Sequence, residues 1–240
     1  LIFVILLPFS EAFVSIAAGL LLFQAIALFS WKHPSFPHGS LNNLLLVFTI
    51  FLIYVAGMLF TKDLPFAIYE LRKVIFWIVI PLAFFISPAL PKEKFNCVLV
   101  FFCLAVFVAS ITGVVKLFFR DYYHITDFRK IILISHIRYS FQIVLSILII
   151  SWFLISKTKL PGIGYRPFIL ILFLIWFIYF LILLKSITGI IAFAGTLLVL
   201  VIFMIGHIKS LPKKAFLFVV MVIIIVTPVI YISHVWYDFY

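Results

Sequence analysis

Long apolar runs alternate along the chain with short polar breaks, and the breaks carry the proline, glycine and charge that end helices. A helix of about 20 apolar residues crosses the ~30 Å hydrocarbon core of a bilayer. On that measure the pattern predicts nine helical spans, at 1–9, 12–30, 44–60, 74–90, 97–118, 137–156, 168–184, 190–206 and 215–233. The first run closes at Pro8, and the break at 31–43 reads WKHPSFPHGSLNN. Thr61 to Lys73 is amphipathic and charged, while Pro91 to Asn96 and Ser156 to Pro167 read as loops. Pro81 predicts a kink in the fourth span, because proline lacks an N–H and its ring clashes with the carbonyl four residues back. Residues 168–206 are apolar except at Lys185 to Gly189. A single helix of that length would reach roughly 58 Å, close to two bilayer cores. The run therefore predicts a helical hairpin turning at Lys-Ser-Ile-Thr-Gly.

Composition agrees with this reading. The chain is 67% hydrophobic and 10% charged, with a mean hydropathy of +1.39, whereas soluble domains are about 45–50% apolar and about 25% charged. The expected fold class is all-α: a polytopic integral membrane protein whose residues 1–240 form one transmembrane helical domain. The chain begins inside one apolar run and ends just after another, so it is expected to be a fragment. The N-terminal run lacks the basic flank of a signal peptide and leads straight into more apolar chain. Cys97 and Cys103 fall in one span six residues apart, on different sides of a helix, and read as packing or lipid-facing thiols. No zinc spacing, P-loop or dinucleotide fingerprint occurs, so neither metal nor cofactor is expected.

The net charge of +11 raises the question of nucleic acid, but the distribution of charge excludes it as a partner. With the 31–43 loop in the cytoplasm, nine basic residues fall on the cytoplasmic side with one acid, Glu93. The other nine lie opposite, among six acids. The positive-inside rule counts Lys and Arg and is tied. Density breaks the tie, because the cytoplasmic loops are short and almost purely basic. The expected N-terminus is cytoplasmic.

Charge that is avoided elsewhere collects at Arg120 to Ser140, RDYYHITDFRKIILISHIRYS. Two more groups fall on the same expected face: Glu70, Arg72 and Lys73 at the entry to the fourth span, and Lys185 in LLKSITGII. In a helix opening near residue 136, His136, Tyr139 and Ser140 share a face and Arg138 adjoins it. Arginine clamps phosphate with two parallel hydrogen bonds, and histidine exchanges protons near neutral pH. The plainer reading makes Arg138 an anchor reaching the interface and Tyr139 part of the aromatic belt. Lys185, in the middle of a long apolar run, is a functional-site hypothesis by position alone; otherwise it marks the outer turn. No Ser-His-Asp set or paired carboxylates within one motif is visible. Transfer from a lipid pyrophosphate requires neither, only cations to stabilise the leaving group and a base for the acceptor hydroxyl.

These residues resemble the bacterial O-antigen ligase and O-antigen polymerase superfamily. Three pieces carry the resemblance: Glu70-Leu-Arg72-Lys73-Val-Ile-Phe-Trp-Ile-Val-Ile-Pro81; His136-Ile-Arg138-Tyr139-Ser140; and Leu-Leu-Lys185-Ser186-Ile187-Thr188-Gly189-Ile-Ile, similar to the family's Ser-Arg-Thr-Gly-type signature. The resemblance implies a metal-independent membrane glycosyltransferase of the bacterial inner membrane, acting in lipopolysaccharide and cell-envelope synthesis. It would take a glycan from undecaprenyl pyrophosphate and pass it to lipid A core or to another lipid-linked repeat unit. Arg138, Lys185, Arg72, Lys73, Glu70, Arg120, Tyr139, Ser186 and Thr188 would form the substrate site. His136, Tyr122, Tyr123 and Tyr139 would line the sugar or acceptor path, with His136 the catalytic residue within this stretch. The family's large periplasmic loop and the main base are expected beyond Tyr240. One departure is that Ile187 stands at the signature arginine position.

Two other classes stay open at this point. A transporter or flippase of a lipid-linked glycan would place broken helices and buried charge near the midplane and show inverted repeats. Here charge sits at helix ends. Ser-Ile-Thr-Gly does recur, at 110–113 and 186–189, but in unmatched flanks. A non-catalytic scaffold would use 120–140 to bind a partner.

Overall fold

The computed structural model describes residues 1–28, 41–87, 90–119, 132–158 and 164–207, with isolated positions 219, 221, 222 and 226. Its elements are helices: α1 (Ile2–Leu6), α2 (Glu11–Leu28), α3 (Leu41–Met58), α4 (Leu64–Val74), α5 (Phe76–Ile86), α6 (Lys92–Phe118), α7 (His136–Ile155), α8 (Pro167–Leu183) and α9 (Ile187–His207). Three of these, α2, α6 and α7, combine the length and composition needed to cross a membrane. Leu44–Met58, Pro167–Leu183 and Ile187–Val199 are shorter apolar stretches. Bulky side chains face outward, with Phe23, Leu46 and Phe168 71%, 75% and 78% exposed, a surface suited to lipid.

The expectation of nine full-length spans is not met among the described residues. α1 has 5 residues and α5 has 11, reaching only about 8 and 16 Å. Hydropathy counts apolar residues and is blind to where a helix is interrupted. The expected run at 215–233 lies almost wholly outside the described residues.

Three boundaries also move. α3 begins at Leu41, inside the expected 31–43 loop. α6 begins at Lys92, so most of the expected 91–96 loop is its first turn, with Phe95 N donating to the Pro91 carbonyl at 3.0 Å. Glu93 in that turn complements the positive helix end. The expected fourth span is divided at Ile75, which keeps helical angles of φ −57 and ψ −26. Pro81 lies inside α5, where its ring and missing N–H act on the carbonyl four residues back, beyond the division. The residues before it form α4, capped by Asp63, whose carboxylate accepts from Phe66 N at 3.0 Å. Pro65 sits in the first turn, where no intrahelical N–H bond is lost.

Two compact units divide the chain, Leu1–Val98 and Leu99–Tyr240. In the first, α5 packs against α2 and α3, α1 against α2 and α4 against α3. The buried residues of α2 are Ala17, Ala18 and Ala25, and α5 adds Ala83 and Phe85. Small side chains let backbones approach closely, which matters where lipid supplies no hydrophobic drive between helices.

In the second unit α7 packs against α8 and α9. Tyr139, Ile143, Val144, Ile147 and Ile150 form its buried stripe at helical spacing. α6 is tied to this group through polar side chains. Trp176 Nε1 donates to Ser110 Oγ at 2.7 Å, and the Tyr139 hydroxyl donates to the Val106 carbonyl at 2.6 Å. The Phe107 ring lies 4.6 Å from Phe173 and meets Phe177 edge-on at 6.4 Å.

Candidate functional site

The start of α7, the end of α8 and the start of α9 meet at one corner of the second unit. Ser186 precedes α9 and caps it, accepting the Gly189 N–H at 3.3 Å. Its hydroxyl donates to Ser140 Oγ on α7 at 3.0 Å, and Ser140 donates onward to the Ile137 carbonyl at 2.7 Å. Thr188 Oγ1 lies 3.1 Å from Ser186 Oγ; with the Ser186 proton committed to Ser140, Thr188 is the donor. Gly189 permits the close approach. A Cβ built on it would overlap the Ser140 Cβ and lie 2.7 Å from Ser140 Oγ and 3.0 Å from Leu181 Cδ1.

Lys185 forms the turn between α8 and α9, with φ of 49 and its N–H donating to the Ile182 carbonyl at 3.1 Å. Glycine usually fills this left-handed position after a helix. A residue with a Cβ there carries strain on the order of 1 kcal/mol or more. Lys157 repeats the geometry after α7, at φ 48, with Thr158 N closing on the Phe153 carbonyl at 3.1 Å. A cation at either place complements the negative helix end.

The corner separates structural from accessible groups. Ser140, Ser186 and Gly189 are buried, whereas Arg138 and Thr188 are exposed and His136 and Lys185 half-buried. Tyr139 corrects the sequence reading: its ring is fully buried, edge-on to Phe180 at 6.0 Å, and its hydroxyl is held by α6. It packs α7 and does not line a path for sugar or belong to an interfacial belt. Two helix N-termini, of α7 and α9, meet the C-terminus of α8 here. Each end carries about half a charge, so the helix ends sum to a small positive excess beside the full charges of Arg138 and Lys185.

Glu70, Arg72 and Lys73 lie on α4 in the first unit, Glu70 half-buried and Arg72 exposed. They do not open α5 as expected. Arg120, Tyr122 and Tyr123 lie outside the described residues. Cys103 is buried and Cys97 half-buried, both as free thiols. Among the described residues no group of three His, Cys, Asp or Glu could hold a metal ion. Sequence reasoning missed the Trp176–Ser110 bond. The signal was present, since an indole N–H inside an apolar run requires an acceptor. The two Ser-Ile-Thr-Gly copies differ in setting, one inside α6 and the other at the start of α9. No family model, curated protein or solved structure matches this chain significantly.

Proposed function

We propose that this protein transfers a glycan from undecaprenyl pyrophosphate to lipid A core or to another lipid-linked repeat unit, as O-antigen ligases and polymerases do. The observation that carries the reading is the 3.0 Å bond between Ser186 and Ser140, which joins two polar motifs 46 residues apart. That junction puts Arg138 and Lys185 beside the positive ends of α7 and α9. In the proposed reaction an acceptor hydroxyl attacks the anomeric carbon, the bond to pyrophosphate breaks, and the acceptor proton passes to a base. Arg138 and Lys185 stabilise the charge that develops on the leaving group. Ile187 leaves the signature arginine role to Lys185, two residues earlier. Thr188, exposed at the same corner, turns its hydroxyl from Ser186 to the ligand when the ligand binds. His136 is the base within these residues.

In this reading the corner faces the periplasm, the N-terminus is cytoplasmic and the protein sits in the bacterial inner membrane. The test is glycan transfer by the purified protein from undecaprenyl-pyrophosphate-linked donor to each acceptor, comparing wild type with Arg138→Ala and Lys185→Ala. Transfer by the wild type, lost in both folded variants, supports the reading. Movement of the lipid-linked glycan across a liposome membrane, with no transfer to any acceptor, replaces it with transport.

A further inference from the structure

A pocket lies in the first unit, in the crook between the last turns of α3 and the amphipathic α4. Its volume is about 290 Å³ and its lining includes Tyr54, Gly57, Met58, Thr61, Phe66 and Glu70. Two side chains give it one sign, since it sits between the C-terminus of α3 and the N-terminus of α4, whose opposite half-charges offset each other. Glu70 is the acidic residue of an otherwise largely apolar lining. Tyr54 contributes an aromatic ring, whose face attracts cations. Gly57 borders open space in the lining, since a Cβ there would meet nothing within 4 Å. Outside the pocket Lys62 and Arg72 are exposed on the adjoining turn and helix, with Asp63 between them committed to capping α4. α4 also exposes Leu64, Phe66, Ile68 and Tyr69 beside its charged residues, the mixture of a helix lying in a membrane interface.

We propose that this crook binds the headgroup of an aminophospholipid, with its primary ammonium in the pocket against Glu70 and its phosphate outside near Lys62 and Arg72. A primary ammonium donates up to three hydrogen bonds. The two oxygens of Glu70 offer about four acceptor positions, so a bond to a protein neighbour leaves others for the ligand. A quaternary ammonium cannot donate, and a glycerol headgroup carries no cation. The site therefore selects phosphatidylethanolamine over phosphatidylcholine and phosphatidylglycerol. Glu70 has the wrong charge for a pyrophosphate ligand, and this assignment gives it a role independent of glycan transfer.

The test uses the purified protein in detergent and reads the rise in thermal midpoint as lipid is added, which converts to an affinity. The probes are phosphatidylethanolamine, phosphatidylcholine and phosphatidylglycerol with matched acyl chains, and glycerophosphoethanolamine without chains. The expected result is stabilisation by phosphatidylethanolamine above all the others. Glu70→Gln weakens that binding by about tenfold or more through loss of a charge-assisted bond. Gly57→Leu abolishes it by filling the pocket, and folding is checked by the melting of the lipid-free variant. Equal stabilisation by all three lipids overturns the selectivity. Selectivity that persists in both variants overturns the site. Equal binding of the chain-free headgroup overturns the lipid as occupant.

Discussion

Ser186 Oγ donates to Ser140 Oγ at 3.0 Å, with Gly189, three residues on, seated against the same serine. One residue of α7 thus takes both a hydrogen bond and a close backbone contact from the start of α9. The two interactions separate experimentally.

Gly189→Ala introduces a Cβ that overlaps Ser140, so α9 must shift away from α7. Overpacking of this kind costs about 1–3 kcal/mol. Gly195→Ala on the same helix meets nothing within 4 Å and gains helix propensity worth up to about 1 kcal/mol. Thermal unfolding in detergent is expected to move in opposite directions for the two variants.

Tyr139→Phe removes the hydroxyl bonded to the Val106 carbonyl and keeps the ring against Phe180. The expected loss is about 1 kcal/mol, the scale of one interhelical hydrogen bond in a membrane. Tyr139→Ala also empties a fully buried site and is expected to cost about 3–5 kcal/mol. Unfolding free energies of the two variants check the difference.

Much of this architecture was legible in the chain. Apolar runs bounded by proline and polar residues marked α2, α3, α7, α8 and α9 to within a few positions. The turn at Lys185 was readable because the largely apolar run 168–206 exceeds any single crossing. The break at Ile75 was not, since Val74 and Phe76 on either side of it are apolar and carry no breaker. The start of α6 was misread because proline was taken as a loop marker, although Pro91 followed by Glu93 also fits a helix start. The pairing of Ser140 with Ser186 is a contact between helices apolar on nearly every side, and such helices carry no stripe to announce which faces meet. Tyr139 illustrates the same limit: its residue type fits an interfacial belt, and only the neighbouring Val106 carbonyl reveals it as a packing residue.

Lys185→Gly relieves the positive φ of 49 while removing the charge. Lys157→Gly does the same at φ 48 at the other end of the α7–α8 pair. Each relieves strain of about 1 kcal/mol or more against a glycine entropy cost of about 0.5–1. Both proteins are expected to melt at or above the wild-type temperature. Lys157→Gly is expected to keep wild-type transfer, because only Lys185 adjoins the Ser140–Ser186 junction.

The measurement that bears most directly on the proposed transferase is the rate of glycan transfer from undecaprenyl pyrophosphate by Lys185→Gly, with the melting temperature taken on the same sample. The expected result is a protein as stable as the wild type whose transfer falls about a hundredfold or more, the scale of losing one charged contact to the transition state. Transfer at the wild-type rate from that variant would contradict the assignment of this corner as the pyrophosphate site.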